Sequence, residues 1–361
     1  MKITALRTIP LSFPIVCPLG TSYSATGYMG GLAVFVDSDQ GVSGEGVLIA
    51  LNDKRLRIQA DMVESFAPLL IGRDPAHSEE IALRCFDDAS NFGVSGLVNM
   101  AIGAIDSALL DLRAKLVNLP VHRLLGAAQS RVPAYYSSGL WRNLPLDELL
   151  RNADNIIAHG YRAMKMRASP GNVGVVVERV RRMREAIGPD VKLLLDLGSR
   201  FEFAETLHLG RRLDEYELEW IEEPLSDNRH AEEAQIAREL ATPLASGEGV
   251  FSLDEFGVMI DTRCVDVLMP DLCRVGGPRQ FLRVARMAER VNMPVSGHVL
   301  PEHTLGLMAS IPNGSWLEVM PWSSPIFADE IRIEDGCAIL PEKPGFGYAL
   351  DPAALKKYAL R

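Results

Sequence analysis

The sequence predicts an α/β protein, a parallel (β/α)7β barrel placed behind a smaller α+β unit. Three observations carry this reading. From about residue 130, eight short apolar runs alternate with amphipathic helical stretches at a spacing of roughly 20–30 residues. Each run carries a polar or charged residue at or near its end, which a barrel with its chemistry at the strand ends explains and a doubly wound open sheet does not. No helical pattern follows the eighth run, where PWSSP (321–325) breaks the chain, so the eighth helix is missing.

The elements follow in order. ITALRTIPL (3–11) and GLAVFVDS (31–38) read as strands, and the DQG turn at 39–41 leads into VSGEGVL as their antiparallel partner. Helical periodicity then covers 54–72, 78–92 and 97–118, the last with small residues along one side that favour close packing. The barrel runs are VPAYYSS, YRAMKMR, VKLLLD, LEWIEE, PLASGE, VDVLMPD, PVSGH and WLEVM. VVVERVRRMREAIG and RQFLRVARMAERVN exemplify the helices between them. This divides the chain into a first domain over 1–127, completed by 320–361, and a barrel over 130–319.

Composition narrows the function. The 361 residues carry a net charge of -10, against the basic face that nucleic acid requires. Cys17, Cys85, Cys264, Cys273 and Cys337 form an odd set without CxxC spacing, which favours reduced thiols over a disulfide framework or a zinc site. The N-terminal stretch lacks a signal-length hydrophobic core and no run is of membrane-spanning length. The expectation is a cytoplasmic protein acting on a small molecule, with neither nucleic acid nor membrane as partner.

Read in order, the strand ends give Ser137 or Ser138, Lys165 with Arg167, Asp196, Glu222, Glu248, Asp271, His298 and Glu318. Lys165 and Arg167 lie two apart on a strand and share a face, an arrangement that calls for an anion between them. Asp196, Glu222 and Glu248 recur every 26 residues, hence at equivalent points of neighbouring strands. Converging carboxylates without His or Cys are hard oxygen ligands and favour Mg2+, although a lone strand-end acid is more often solvated or capping. Asp271 beside His298 provides the oriented imidazole of a general base. His77, His122, His159, His208 and His230 read as structural, while His303 falls near the pocket mouth with no acid to pair it. Glu318 is either a surface acid or, if kept protonated, a donor to a developing oxyanion.

Taken together, AIGAIDSALLDLRAKLVNLPVHRLLG, KMR, LLLDLG, WIEEP, SGEG, MPDLCRVGG, SGHVL, WLEV and DGCAILPEKPGFGYALD resemble the enolase superfamily, within it the mandelate racemase subgroup, over nearly the whole chain. The resemblance implies a modified TIM barrel with an N-terminal capping domain and one Mg2+ on Asp196, Glu222 and Glu248, with Glu223 outside that set. It implies that His298, oriented by Asp271, works on one face of the substrate and the Lys165–Arg167 pair on the other. Glu318 would be bonded to a carboxylate oxygen. The shared step would be abstraction of the proton α to a carboxylate, giving an enediolate. A symmetric homo-oligomer is also implied.

Two departures refine this. Arg167 stands where the racemase has a basic lysine, and guanidinium cannot ordinarily accept a proton. One competent base suits β-elimination, so dehydration of a sugar-type acid to a 2-keto acid is expected, with a 2-hydroxy-acid racemase or epimerase as alternative and an inactive binding protein third. Gly198 stands where the subgroup often has Asn. Specificity is expected from TSYSATGYMGG (21–31), read as a lid whose Tyr23 and Tyr28 either meet the substrate or serve packing, and from LIALND (48–53), with Ser137 at the first strand end. Leu300, Met320 and Trp322 make the expected pocket only partly polar.

Overall fold

A computed structural model describes residues 1–20, 25–226 and 229–360. Eight strands form one closed parallel sheet: β4 (Arg131–Tyr136), β5 (Ala163–Arg167), β6 (Lys192–Asp196), β7 (Ile221–Glu222), β8 (Leu244–Ser246), β9 (Val267–Leu268), β10 (Val295–Gly297) and β11 (Gly314–Val319). Pairing of β11 with β4, Leu317 opposite Ala134 and Glu318 opposite Tyr135, closes the cylinder. A helix follows each strand except β11, which gives the (β/α)7β order. Leu193 and Leu195 face outward under the helices while Tyr135, Leu194, Trp220, Ala245 and Met269 fill the interior, all buried. After the break at 321–325 the chain forms β12 (Ile333–Glu334) and β13 (Cys337–Ile339), and β13 runs antiparallel to β4.

Three antiparallel strands precede the barrel: β1 (Ile3–Gly20), β2 (Ala25–Ser38) and β3 (Ser43–Ala50). Helix Leu97–Leu116 packs across them with little room to spare. A Cβ on Gly44 would lie 2.0 Å from the Ala108 carbonyl and one on Gly46 2.2 Å from that of Ala104, so the small residues bring strand and helix backbones together. The same helix abuts the barrel, where a Cβ on Gly103 would meet the Gly277 nitrogen at 2.7 Å. Asn99 donates to the carbonyls of Phe251 and Arg274 at 2.8 and 2.6 Å, and Asp106 accepts from the Arg279 N–H at 2.8 Å. The first unit therefore buttresses the loops after β8 and β9. Asp111 accepts from the N–H groups of Glu45 and Phe346, both at 2.8 Å, and so ties the C-terminal tail to it.

One segment takes a form the sequence did not suggest. The described part of the supposed lid, 25–31, is strand: β1 and β2 continue as a ribbon in which Pro14 opposes Tyr28. Gly31 permits this because the Phe13 ring lies where its Cβ would be, at 2.8 Å. Tyr23 lies outside the described residues. Among those described, no helix is long and apolar enough to cross a membrane.

Candidate active site

The polar side chains singled out from sequence lie at or just past the C-terminal ends of the barrel strands, on one rim. Asp271 and His298 are opposite each other in an isolated parallel bridge, and His298 Nδ1 lies 2.7 Å from Asp271 Oδ2. Asp271 also accepts from the Arg274 N–H at 2.8 Å, which fixes the carboxylate and through it the ring. His298 Nε2, the remaining nitrogen, lies 3.1 Å from Glu248 Oε2. Burial opposes a charged imidazole, but Glu248 and Asp271 outweigh it and hold His298 well above the usual histidine range.

Across the rim, Lys165 is buried beneath the site. Its Nζ lies 2.5 Å from Glu222, 2.8 Å from Glu318 and 3.8 Å from Asp196. Arg167 Nε lies 3.2 Å from Asp196, and its guanidinium stacks 4.2 Å from the Trp141 ring centre. Its NH groups donate to the Ser137 carbonyl at 3.0 Å and hydroxyl at 3.3 Å. Ser137 is fully buried, bonds to Arg167, and is not among the residues lining the cavity at the rim.

Asp196, Glu222 and Glu248 occupy neighbouring strand ends, as their spacing predicts. Their carboxylates are not, however, gathered within 4.8 Å of one another. Each is drawn to a cation of the protein: Asp196 to Arg167, Glu222 to Lys165, and Glu248 to His298 and to Arg274 at 3.4 Å. Glu318 and Asp271 share the same cations, Lys165 and His298, so five carboxylates face four cations and the rim keeps a negative surplus. Burial first, and then Asp196, Glu318 and Glu248, push the Glu222 carboxyl up to about 8 in spite of Lys165. An all-oxygen donor set in electrostatic surplus fits a hard divalent cation. Gly198 orients one of the three, since its N–H donates to Asp196 Oδ1 at 2.7 Å from a backbone with φ of +61°.

Glu318 is fully buried and is not a surface acid. Burial favours its neutral form, but Lys165 and His298 overcome that and hold it at about 2. It accepts the Val299 N–H at 2.9 Å, so the structure shows it as an acceptor, and Lys165 beside it disfavours the protonated donor considered from sequence. Tyr28 is 59% exposed and lines no part of the cavity at the rim. That cavity, about 140 Å³, is lined among others by Leu51, Trp141, Arg142, Arg167, Arg274, His298 and Trp322. His303 does not reach it: the ring is buried and stacked 4.1 Å from Phe346.

Sequence reasoning missed several supporting residues. Trp220 donates to Glu222 at 3.1 Å from within the barrel. Glu223, at a φ of +46°, accepts from Ser199 at 2.6 Å, Ser246 at 2.8 Å and the Gly247 N–H at 3.1 Å, so it braces the turn that presents Glu248. Arg274 was visible only as part of MPDLCRVGG, with nothing to mark it as the partner of two acids.

Residues 4–126 match the family model described as mandelate racemase / muconate lactonizing enzyme, N-terminal domain, and residues 148–354 that described as enolase C-terminal domain-like. The chain is 32% identical to the L-talarate/galactarate dehydratase of Salmonella typhimurium LT2 over 81% of its own length and 73% of the relative's. L-Talarate dehydratase from Polaromonas sp. JS666, solved with Mg and L-glucarate, superposes with a TM-score of 0.95 at 30% identity, over 100% of this chain and 98% of that one. An enolase from Bradyrhizobium complexed with magnesium and mandelic acid gives 0.94 at 28% identity, covering 100% and 99%.

Proposed function

The chain belongs to the mandelate racemase / muconate lactonizing enzyme family of the enolase superfamily, and from that premise we propose that it dehydrates a sugar-type 2,3-dihydroxy carboxylic acid to a 2-keto acid. The observation that carries this reading is the asymmetry of the rim. His298 presents a ring nitrogen on one side, whereas Arg167 on the other is a guanidinium with no lone pair to offer. Relatives named as sugar-acid dehydratases, and a neighbour solved with Mg and L-glucarate, support the substrate class.

Asp196, Glu222 and Glu248 would hold Mg2+. When bound it supplies a divalent charge beside the substrate carboxylate, stabilising the negative charge that grows on its oxygens. The protein's own groups do the rest. Arg167 and Lys165 attract and orient the carboxylate. Asp271 keeps a proton of His298 on Nδ1; with the charge of Glu248 taken up by the bound cation, Nε2 would lose the partner that holds its proton and serve as the acceptor for the α-proton. The enediolate expels the β-hydroxyl, and the proton on Nε2 leaves with it as water. The resulting enol becomes the 2-keto acid. Trp141, Trp322 and Leu51 shield the reacting carbons from bulk water.

Those apolar walls, with the mandelic acid held by the Bradyrhizobium enolase, favour a second reading, racemisation of an aromatic 2-hydroxy acid. The discriminating experiment offers the Mg2+-loaded enzyme a panel of aldonic and aldaric acids and assays 2-keto acid. Release from at least one, abolished by EDTA, is expected. No release from any, with mandelate racemised instead, would overturn the dehydratase reading.

A further inference from the structure

We propose that His230, Glu233 and Cys264 form a second metal site, for a borderline-soft divalent cation of the zinc type, on the outer wall of the barrel. His230 opens helix His230–Glu239, and Glu233 lies one turn on, on the same face. Cys264 comes from the chain just after helix Leu253–Thr262, where Arg263 at a φ of +48° reverses its course. The two crossovers that flank β8 thus meet at these three side chains. One ligand atom from each lies within 4.8 Å of the others, and this is the one such His/Cys/Asp/Glu group among the described residues.

The distances suit a shared cation. His230 Nδ1 lies 2.9 Å from Glu233 Oε2 and 3.9 Å from Cys264 Sγ. Zinc–nitrogen and zinc–sulfur bonds at a tetrahedral angle separate the two donors by about 3.6 Å. Hydrogen bonding alone satisfies the cluster poorly, because the single proton on Nδ1 serves either the carboxylate or the sulfur. A cation between them engages all three at once. The buried Nε2 makes no hydrogen bond, and the Glu255 carboxylate stands 3.5 Å away, where it would orient a metal-bound imidazole. Glu233 and Cys264 are buried, while the His230 side chain is 11% exposed and leaves a path for the ion and room for water as a fourth ligand. Thiolate and imidazole select zinc-type ions over Mg2+, so the two sites sort by chemistry: oxygen alone at the rim, nitrogen, sulfur and oxygen on the wall.

The test titrates metal-stripped protein with Co2+ in excess Mg2+, following absorption. One equivalent producing a thiolate-to-cobalt charge-transfer band, bleached by stoichiometric Zn2+, is expected. Cys264→Ser should lose the band, His230→Gln should weaken binding at least tenfold, and Glu248→Gln should leave the band intact. Zn2+ should raise the Tm of the wild type and not that of Cys264→Ser. Absence of the band in the wild type overturns the proposal whether or not the variants fold. So does a band that survives in Cys264→Ser or vanishes in Glu248→Gln.

Discussion

Lys165→Met removes one buried charge and nearly nothing else in volume, and its consequence follows from the distances. The ammonium lies 2.5, 2.8 and 3.8 Å from Glu222, Glu318 and Asp196. At an effective dielectric of about 20 each contact is worth roughly 4–7 kcal/mol of gross Coulomb energy. Against that stands the cost of burying the ammonium, several kcal/mol. Removing one partner of a buried ionic cluster leaves the remaining charges uncompensated, and the net loss is about 3–5 kcal/mol. Urea unfolding in EDTA should therefore show the variant less stable by about that amount, with the Tm lower by roughly 4–7 °C. Saturating Mg2+ should narrow the gap, because a divalent ion on Asp196 and Glu222 supplies the missing positive charge. A variant as stable as the wild type in EDTA, or one indifferent to Mg2+, would refute the electrostatic account of the rim.

Asp271→Asn keeps the shape of the side chain but unlocks the tautomer of His298, so kcat should fall by about 10²–10⁴ with KM nearly unchanged; a large change confined to KM would point to a binding role. Arg167→Lys gives up the Trp141 stack and the paired bonds to Ser137 but installs an amine able to accept a proton, and epimerisation of the substrate, measured by NMR, should appear. Glu302 provides a pH test away from the rim. Burial raises its carboxyl from 4.5 to about 7, against the hydrogen bond from Ser323. The stability this contributes is present below the unfolded value and is lost as pH rises through the folded one, roughly 3 kcal/mol over that span. Glu302→Gln should match the wild type near pH 4.5 and exceed it near pH 8 in denaturant unfolding; parallel profiles would contradict this.

Much of this structure is legible in the chain because parallel strands buried on both faces must be apolar, so the residue that stops each run stands out. That is how Asp196, Glu222, Glu248, Asp271 and His298 could be found. Side-chain direction was not legible. The turning of Glu248 toward His298 depends on Arg274 and on the brace that Glu223 makes with Ser199 and Ser246, contacts between loops that no periodicity encodes. The charge state of Glu318 depends on Lys165 reaching it from β5, 153 residues away in sequence yet 2.8 Å in space. The strand form of 25–31 was not legible because Gly27, Gly30, Gly31 and an exposed tyrosine look like a loop, whereas Phe13 seats on Gly31 and keeps the strand going. The His230–Glu233–Cys264 cluster escaped because its cysteine lies 34 residues from the histidine, outside any ligand-spacing motif.

The most direct test of the account follows the α-hydrogen of a turned-over acid by NMR in D2O with Mg2+ present, comparing the wild type with His298→Asn. The wild type should form 2-keto acid without converting the residual substrate to its epimer. The variant should bind Mg2+ as tightly yet neither exchange the α-hydrogen nor release product. Exchange that persists in His298→Asn would place the base elsewhere and contradict the assignment.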